Sequence, residues 1–157
     1  MIELELVGVR VELPHNQPIV LLKETTGTRF LPIWIGPVEA TSIAFALQGV
    51  ETERPMTHDL MRDLLAALDV TVDRIVVTEL REGTFYAEIH MTHGEESVVV
   101  SSRPSDAIAL AVRDSVPIYG EQDVLDDAGI EIEDDEEDEV ERFKEFLDQV
   151  SPEDFNS

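Results

Sequence analysis

The sequence predicts an α+β fold: internally duplicated strand–helix–strand units, a mixed β-sheet with packed helices, and an acidic C-terminal tail carrying a short helix. Three observations predict it. Residues 2–13 and 84–91 alternate apolar and polar side chains, as half-buried strands do. Two segments that open on proline repeat apolar residues three and four apart, as helices with a buried face do. These two segments also match each other. Pro37-Val38-Glu39-Ala40 corresponds to Pro104-Ser105-Asp106-Ala107 at an offset of 67, and Ile43-Ala44 corresponds to Leu110-Ala111 at the same offset. Both copies follow an apolar strand, which favours duplication of a strand–proline–helix unit.

In chain order, Leu4, Leu6, Val7, Val9 and Val11 mark the first strand, and Pro14-His15-Asn16-Gln17-Pro18 is a turn cluster. Ile19–Leu22 is a short strand. Glu24–Thr28 reads as a hairpin turn into a strand over 29–35. Trp34, at the end of that strand, is expected to anchor the core rather than to serve as a base-stacking platform. Gly36-Pro37 opens a helix, because proline at the first helical position gives up no needed N–H. Thr57 is expected to cap a second helix whose buried face is Leu60, Met61, Leu64, Leu65 and Leu68. Strands are expected at 70–77, 84–91 and 98–100, separated by turns at Gly83 and Gly94. A third helix opens at Pro104, and Val116–Tyr119 is a last short strand.

Composition bounds the rest. A chain of 157 residues with 43% hydrophobic residues can bury a core in one domain. The division expected is a domain over 1–130 and, over 131–157, an acidic linker and a short amphipathic helix marked by Val140, Phe143, Phe146, Leu147 and Val150. There is no cysteine, which excludes disulfides, thiolate metal sites and cysteine nucleophiles. The N-terminus lacks the basic and apolar regions of a signal peptide, and no apolar run is long enough to span a membrane. A cytoplasmic protein without membrane contact is expected. The net charge is −24, and residues 121–157 contribute 17 acids against 2 bases. Such a field repels nucleic acid at long range, so any nucleic-acid function needs local arginines or metal ions.

Three acids stand in first turns of expected helices: Glu39, Asp59 and Asp106. An acid there complements the helix dipole, which is reason enough for each alone. Their neighbours add chemistry. Arg54, His58 and Asp59 surround one helix start; Arg103, Ser105 and Asp106 surround another. If these starts converge, two arginines and several carboxylates would suit a phosphodiester or a hard divalent ion. The same residues could instead form a buried ion-pair network, Arg54 with Asp106 or Arg103 with Asp59. His90 and His93 fall on opposite faces of a strand and make a poor metal pair. No glycine-rich phosphate loop, zinc spacing or Gly-x-Ser-x-Gly elbow is present.

Leu31-Pro32-Ile33-Trp34-Ile35-Gly36, Glu39-Ala40, Arg54-Pro55-x-Thr57-His58-Asp59-Leu60 and Arg103-Pro104-Ser105-Asp106-Ala107-Ile108-Ala109-Leu110-Ala111 resemble the bifunctional nuclease family of bacteria and plants. The resemblance covers about residues 1–130. It implies a duplicated α+β fold and cleavage of DNA, RNA or both, single- or double-stranded. Many members carry an acid two residues before the arginine of Arg-Pro-Ser-Asp, where this chain has Ser101. On this reading Asp59, Asp106 and Glu39 hold Mg2+ or Mn2+ or activate water, and no organic cofactor is used. Arg54 and Arg103 neutralise phosphate, His58 is a general acid or base, and Ser105 orients a phosphate oxygen. The alternative is a non-enzymatic binding or regulatory module. A homo-oligomer such as a dimer is expected in either case.

Overall fold

A computed structural model describes residues 1–12 and 17–131. His15 and the acidic tail with its expected helix lie outside the described residues. Among the described residues, β1 (Ile2–Glu12), β2 (Gln17–Glu24) and β3 (Arg29–Trp34) form an antiparallel meander. Helix α1 (Pro37–Leu47) follows it, and α2 (Thr57–Ala67) leads to a second meander of β4 (Val70–Arg81), β5 (Thr84–His93) and β6 (Glu96–Ser102). Then come α3 (Pro104–Asp114), β7 (Ile118–Gly120), α4 (Gln122–Ala128) and β8 (Ile130–Glu131). All eight strands join one sheet in the order β6-β5-β4-β7-β1-β2-β3-β8. The β4–β7 pair is parallel and the other pairs are antiparallel, so the sheet is mixed.

The repeat is larger than the sequence motif. Moving Gln17, Arg29, Pro37 and Leu47 by 67 positions lands on Thr84, Glu96, Pro104 and Asp114. Those are the starts of β5 and β6 and both ends of α3. The duplicated unit is therefore a three-stranded meander plus a helix. β7 lies between the two meanders in the sheet, while α2 is a connection between the copies in the chain.

The core draws on both copies. Val20, Leu22, Leu31 and Ile33 come from the first meander, and Ile75, Val77, Ala87 and Ile89 from the second. Helix α3 sits deepest: Ala107, Ile108, Ala109, Leu110 and Ala111 are buried in succession, so it is covered on nearly every side. α1 and α2 both pack against it. Around α4, Gly120 leaves room for Leu125, whose methyl would stand 2.8 Å from any Cβ added there. Arg29 donates to Glu24 and to Asp126, tying the β2–β3 hairpin to α4.

Several expectations need correction. Thr57 is the first helical residue of α2, and Met56 is its cap. Asp59 does the capping, since its carboxylate accepts the Met56 N–H at 3.0 Å. Leu60, Leu64 and Leu68 are not buried; they are half exposed or more, and only Met61 and Leu65 pack partly against the core. The apolar stripe of α2 is wider than the strip that α3 and β4 can cover, and buried His58 turns its own side of the helix inward. Trp34 is not a core anchor: it is 55% exposed. Strand alternation explains this, because Ile33 and Ile35 are fully buried in a backbone with β3's pleat. Finally, α4 and β8 had no sequence expectation. One has seven residues and the other two, too short for a periodic signal.

Candidate functional site

Three helices bring their polar residues to one seam. Helix α1 supplies Glu39 and Ser42, α2 supplies His58 and Asp59, and α3 supplies Asp106 and Arg113, with Arg103 at its cap. Arg103 grips Asp106 with two parallel bonds, Nε to Oδ2 at 2.9 Å and Nη2 to Oδ1 at 3.1 Å. The same Nη2 donates to Glu39 Oε1 at 2.9 Å. Glu39 and Asp106 are equivalent positions of the repeat, and so are Gly36 and Arg103. Gly36 matters at its place because a Cβ there would run into the Glu39 carboxylate.

His58 continues the chain inward. Its Nε2 donates to Asp106 Oδ1 at 2.9 Å, since a carboxylate can only accept. In the neutral ring this leaves Nδ1 to accept from the Ser42 hydroxyl at 2.6 Å. Arg113 donates to Ser42 Oγ at 3.0 Å, to the Ala109 carbonyl at 2.6 Å, and to Asp59 Oδ1 at 2.6 Å. One connected path thus runs Glu39–Arg103–Asp106–His58–Ser42–Arg113–Asp59. Its two ends differ. The Arg113 side chain is 5% exposed, whereas that of Arg103 is 63% exposed.

Electrostatics follow the geometry. Burial pushes the Asp106 carboxyl up, but hydrogen bonds from Arg103 and His58 outweigh it and hold it below the ordinary 3.8. Burial likewise raises Asp59, and the bonds from Arg113 and the Met56 N–H lower it further than that. Arg103 is raised by its bonds to Asp106 and Glu39.

Of the residues singled out in the sequence, Glu39, His58, Asp106 and Arg103 meet. Asp59 sits at the far end on Arg113, which lies seven residues, or about 10 Å, along α3 from Asp106. Arg54 is exposed in the loop before α2 and shares no bond of the path. Neither ion pair that the sequence allowed as an alternative, Arg54 with Asp106 or Arg103 with Asp59, forms; Arg113 takes Asp59 and Arg103 takes Asp106. Ser105 is buried and borders a cavity rather than joining the path. His90 bonds Glu88 and Arg74 on the sheet. Among the described residues no group of three or more His, Cys, Asp or Glu could hold a metal ion. Sequence reasoning missed Arg113 and Ser42. Their signal was helical spacing: Arg113 is seven residues after Asp106 and Ser42 is three after Glu39, each on the same side of its helix as a residue already singled out.

Beside Arg103 lies a cavity of about 310 Å³, bordered by Trp34, Gly36, Phe85, Arg103 and Ser105. Trp34 ends β3 and Phe85 is the second residue of β5, strands separated in the sheet by β4, β7, β1 and β2. The sheet therefore curls until its two meanders face each other across this space. At the tip, Glu82 and Gly83 both take positive φ, 51° and 80°, the tight hairpin turn that delivers Thr84 and Phe85 to the rim.

Comparison with known proteins places these residues in a wider set. The sequence model described as the bifunctional nuclease domain matches residues 20–133, a span that includes every residue of the path. An uncharacterized protein of Mycobacterium tuberculosis is similar at 51% identity, covering 99% of this chain and 98% of its own. Bifunctional nuclease 2 of Arabidopsis thaliana is 31% identical over 67% of this chain and 32% of its own. Bifunctional nuclease 1 of Oryza sativa subsp. japonica is 24% identical over 79% of this chain and 38% of its own. The chain thus spans about a third of the length of these plant relatives.

Proposed function

The chain belongs to the bifunctional nuclease domain family, and from that premise we propose that it hydrolyses phosphodiester bonds of DNA or RNA at the exposed end of the three-helix seam. The observation that carries this reading is the meeting of Glu39 and Asp106 on one nitrogen of the exposed Arg103. Arg103 neutralises the substrate phosphate, as a forked guanidinium does best. While it is clamped on Asp106 that carboxylate is a poor base. When a phosphate draws Arg103 away, Asp106 regains basicity and accepts the proton of the attacking water. His58 reaches the substrate only through Asp106, because its side chain is 6% exposed and both ring nitrogens are bonded. Its part is to position Asp106.

Mg2+ or Mn2+ belongs to the same proposal. Arg103 marks a place where two carboxylates already share a positive group, and Mg2+ is commonly held by one or two carboxylates together with substrate phosphates. Glu39 would hold the ion together with the substrate phosphates, the ion would polarise the phosphoryl oxygens, and Asp106 would stay free as the base. The partner is single- or double-stranded nucleic acid. The compartment proposed is the cytoplasm; among the described residues no helix is long and apolar enough to cross a membrane.

The test is metal-dependent cleavage of DNA and RNA by protein freed of contaminating nuclease, with Glu39→Gln and Asp106→Asn run beside it. Loss of rate of about 10²–10⁴-fold in Asp106→Asn is expected. Undiminished cleavage by both variants would falsify the site.

A second reading, an oligomeric binding module, has its own observation. β6 is an edge strand whose Val98, Val99 and Val100 are all exposed, an open template for strand pairing. Antiparallel self-pairing about Val99 would set Glu96 opposite Ser102 of a second copy, with no like charges facing. Light scattering tests it: Val99→Lys shifts an oligomer to monomer, and a wild-type monomer at high concentration ends the idea.

A further inference from the structure

We infer that the cavity beside Arg103 is a docking site for one unpaired nucleobase, stacked on Trp34 with its adjoining phosphate at Arg103; this deepens, and rests on, the nuclease reading above. Trp34 is the largest side chain the fold leaves in water at this end, with over half its surface exposed. Its presentation is built in. Ile33 and Ile35 are 2% and 5% exposed, and their burial leaves the indole between them no inward path. Phe85, from the second meander, lines the same cavity. Arg103 closes one rim with its guanidinium in solvent.

The dimensions select the ligand. A cavity of about 310 Å³ lies at the small end of the range for bound small molecules, so it takes a single nucleotide and excludes a base pair. The charge selects the kind of attraction. With a net charge of −24, the chain repels a phosphate backbone at long range. Affinity must come from stacking, which every base can supply, and from one local cation. The site is therefore tolerant of sequence, specific for unpaired strands, and only weakly dependent on salt.

Trp34 is the one tryptophan of the chain, so tryptophan fluorescence, excited selectively over the two tyrosines, reports on this cavity alone. Wild-type protein in EDTA is titrated with a ten-nucleotide oligothymidylate, with that strand annealed to its complement, and with thymidine 5′-monophosphate. Saturable quenching by the single strand and the mononucleotide, and none by the duplex, is expected. Binding of the labelled single strand, read by anisotropy, weakens about 5- to 150-fold in Trp34→Ala and much less in Trp34→Phe. The slope of log K against log salt is about −0.7, that of one phosphate on a single strand. Trp34→Ala removes an exposed side chain, and an unchanged melting temperature confirms its fold. Equal binding by Trp34→Ala, or a single strand that binds without quenching, overturns the inference. Cleavage without quenching sinks this docking site and leaves the nuclease reading standing. Quenching without cleavage at any metal concentration does the reverse.

Discussion

Glu39 and Asp106 stand 67 residues apart in the chain, occupy equivalent places in the repeat, and accept bonds from the same nitrogen of Arg103 at 2.9 and 3.1 Å. The duplication thus brings two acids to one point, and a single cation holds them. That cation is also the most exposed member of the path. Removing it separates chemistry from stability. In Arg103→Gln, unfolding free energy is expected to change by no more than about 1 kcal/mol, as for an exposed ion pair. Cleavage should fall by about 10²-fold or more, as when a charge-stabilising donor is lost. Urea denaturation beside a nuclease assay gives both numbers, and the opposite ranking would assign Arg103 to the scaffold.

Arg113 should behave the other way. It is buried and joins α1, α2 and α3 through Ser42, Asp59 and Ala109. Arg113→Ala leaves Asp59 without its partner and is expected to cost about 3–5 kcal/mol of stability. Arg113→Lys should recover little, because an ammonium cannot make the forked contacts. Thermal and chemical unfolding check both variants; a loss under about 1 kcal/mol would show that water replaces the guanidinium.

The acid limb of stability should belong partly to Asp59 and Asp106. Both carboxyls are held below 3.8 in the folded protein. A group whose folded pKa is depressed contributes stability above its unfolded pKa and loses it as pH falls through the folded value. Their contribution is expected to be full at pH 6 and to fade below about pH 4. The stability difference between wild type and Asp106→Asn should therefore shrink as pH drops from 5 to 3. Taking the difference cancels the other carboxylates. A constant gap across that range would refute the linkage.

The outer face of α2 gives a fourth test. Had Leu60, Leu64 and Leu68 been core residues, each truncation to alanine would cost about 2–5 kcal/mol. Exposed as they are, Leu60→Gln, Leu64→Gln and Leu68→Gln should each change stability by about 0.5 kcal/mol or less. Melting curves decide it.

Strand alternation, the two proline starts and the 67-residue offset were legible in the sequence because each is a local periodicity. The meander-plus-helix extent of the repeat was not, since β2 and β5 share spacing rather than residues. The α2 face was misread because leucines recurring at helical spacing look the same whether or not a neighbour covers them. Trp34 was misread for a related reason. Bulk argues for burial, but the pleat, fixed by Ile33 and Ile35, decides direction. Glu39, His58, Asp106 and Arg103 were legible because helix starts concentrate them. Arg113 was not, because it lies at the end of its helix and acts across two others.

The glycine at position 36 and the arginine at 103 occupy the same place in the two copies. Suppose instead that two identical, unlinked copies met about a twofold axis. Each would then bring the same residue to that axis: two arginines crowding one another, or two glycines leaving the paired carboxylates uncompensated. Joining both copies in one polypeptide removes that constraint. One half can keep the small residue that lets its own carboxylate fold back, while the other supplies the lone positive charge. The functional end of the molecule is in this sense a broken symmetry, available to a fused pair and closed to a strict homodimer.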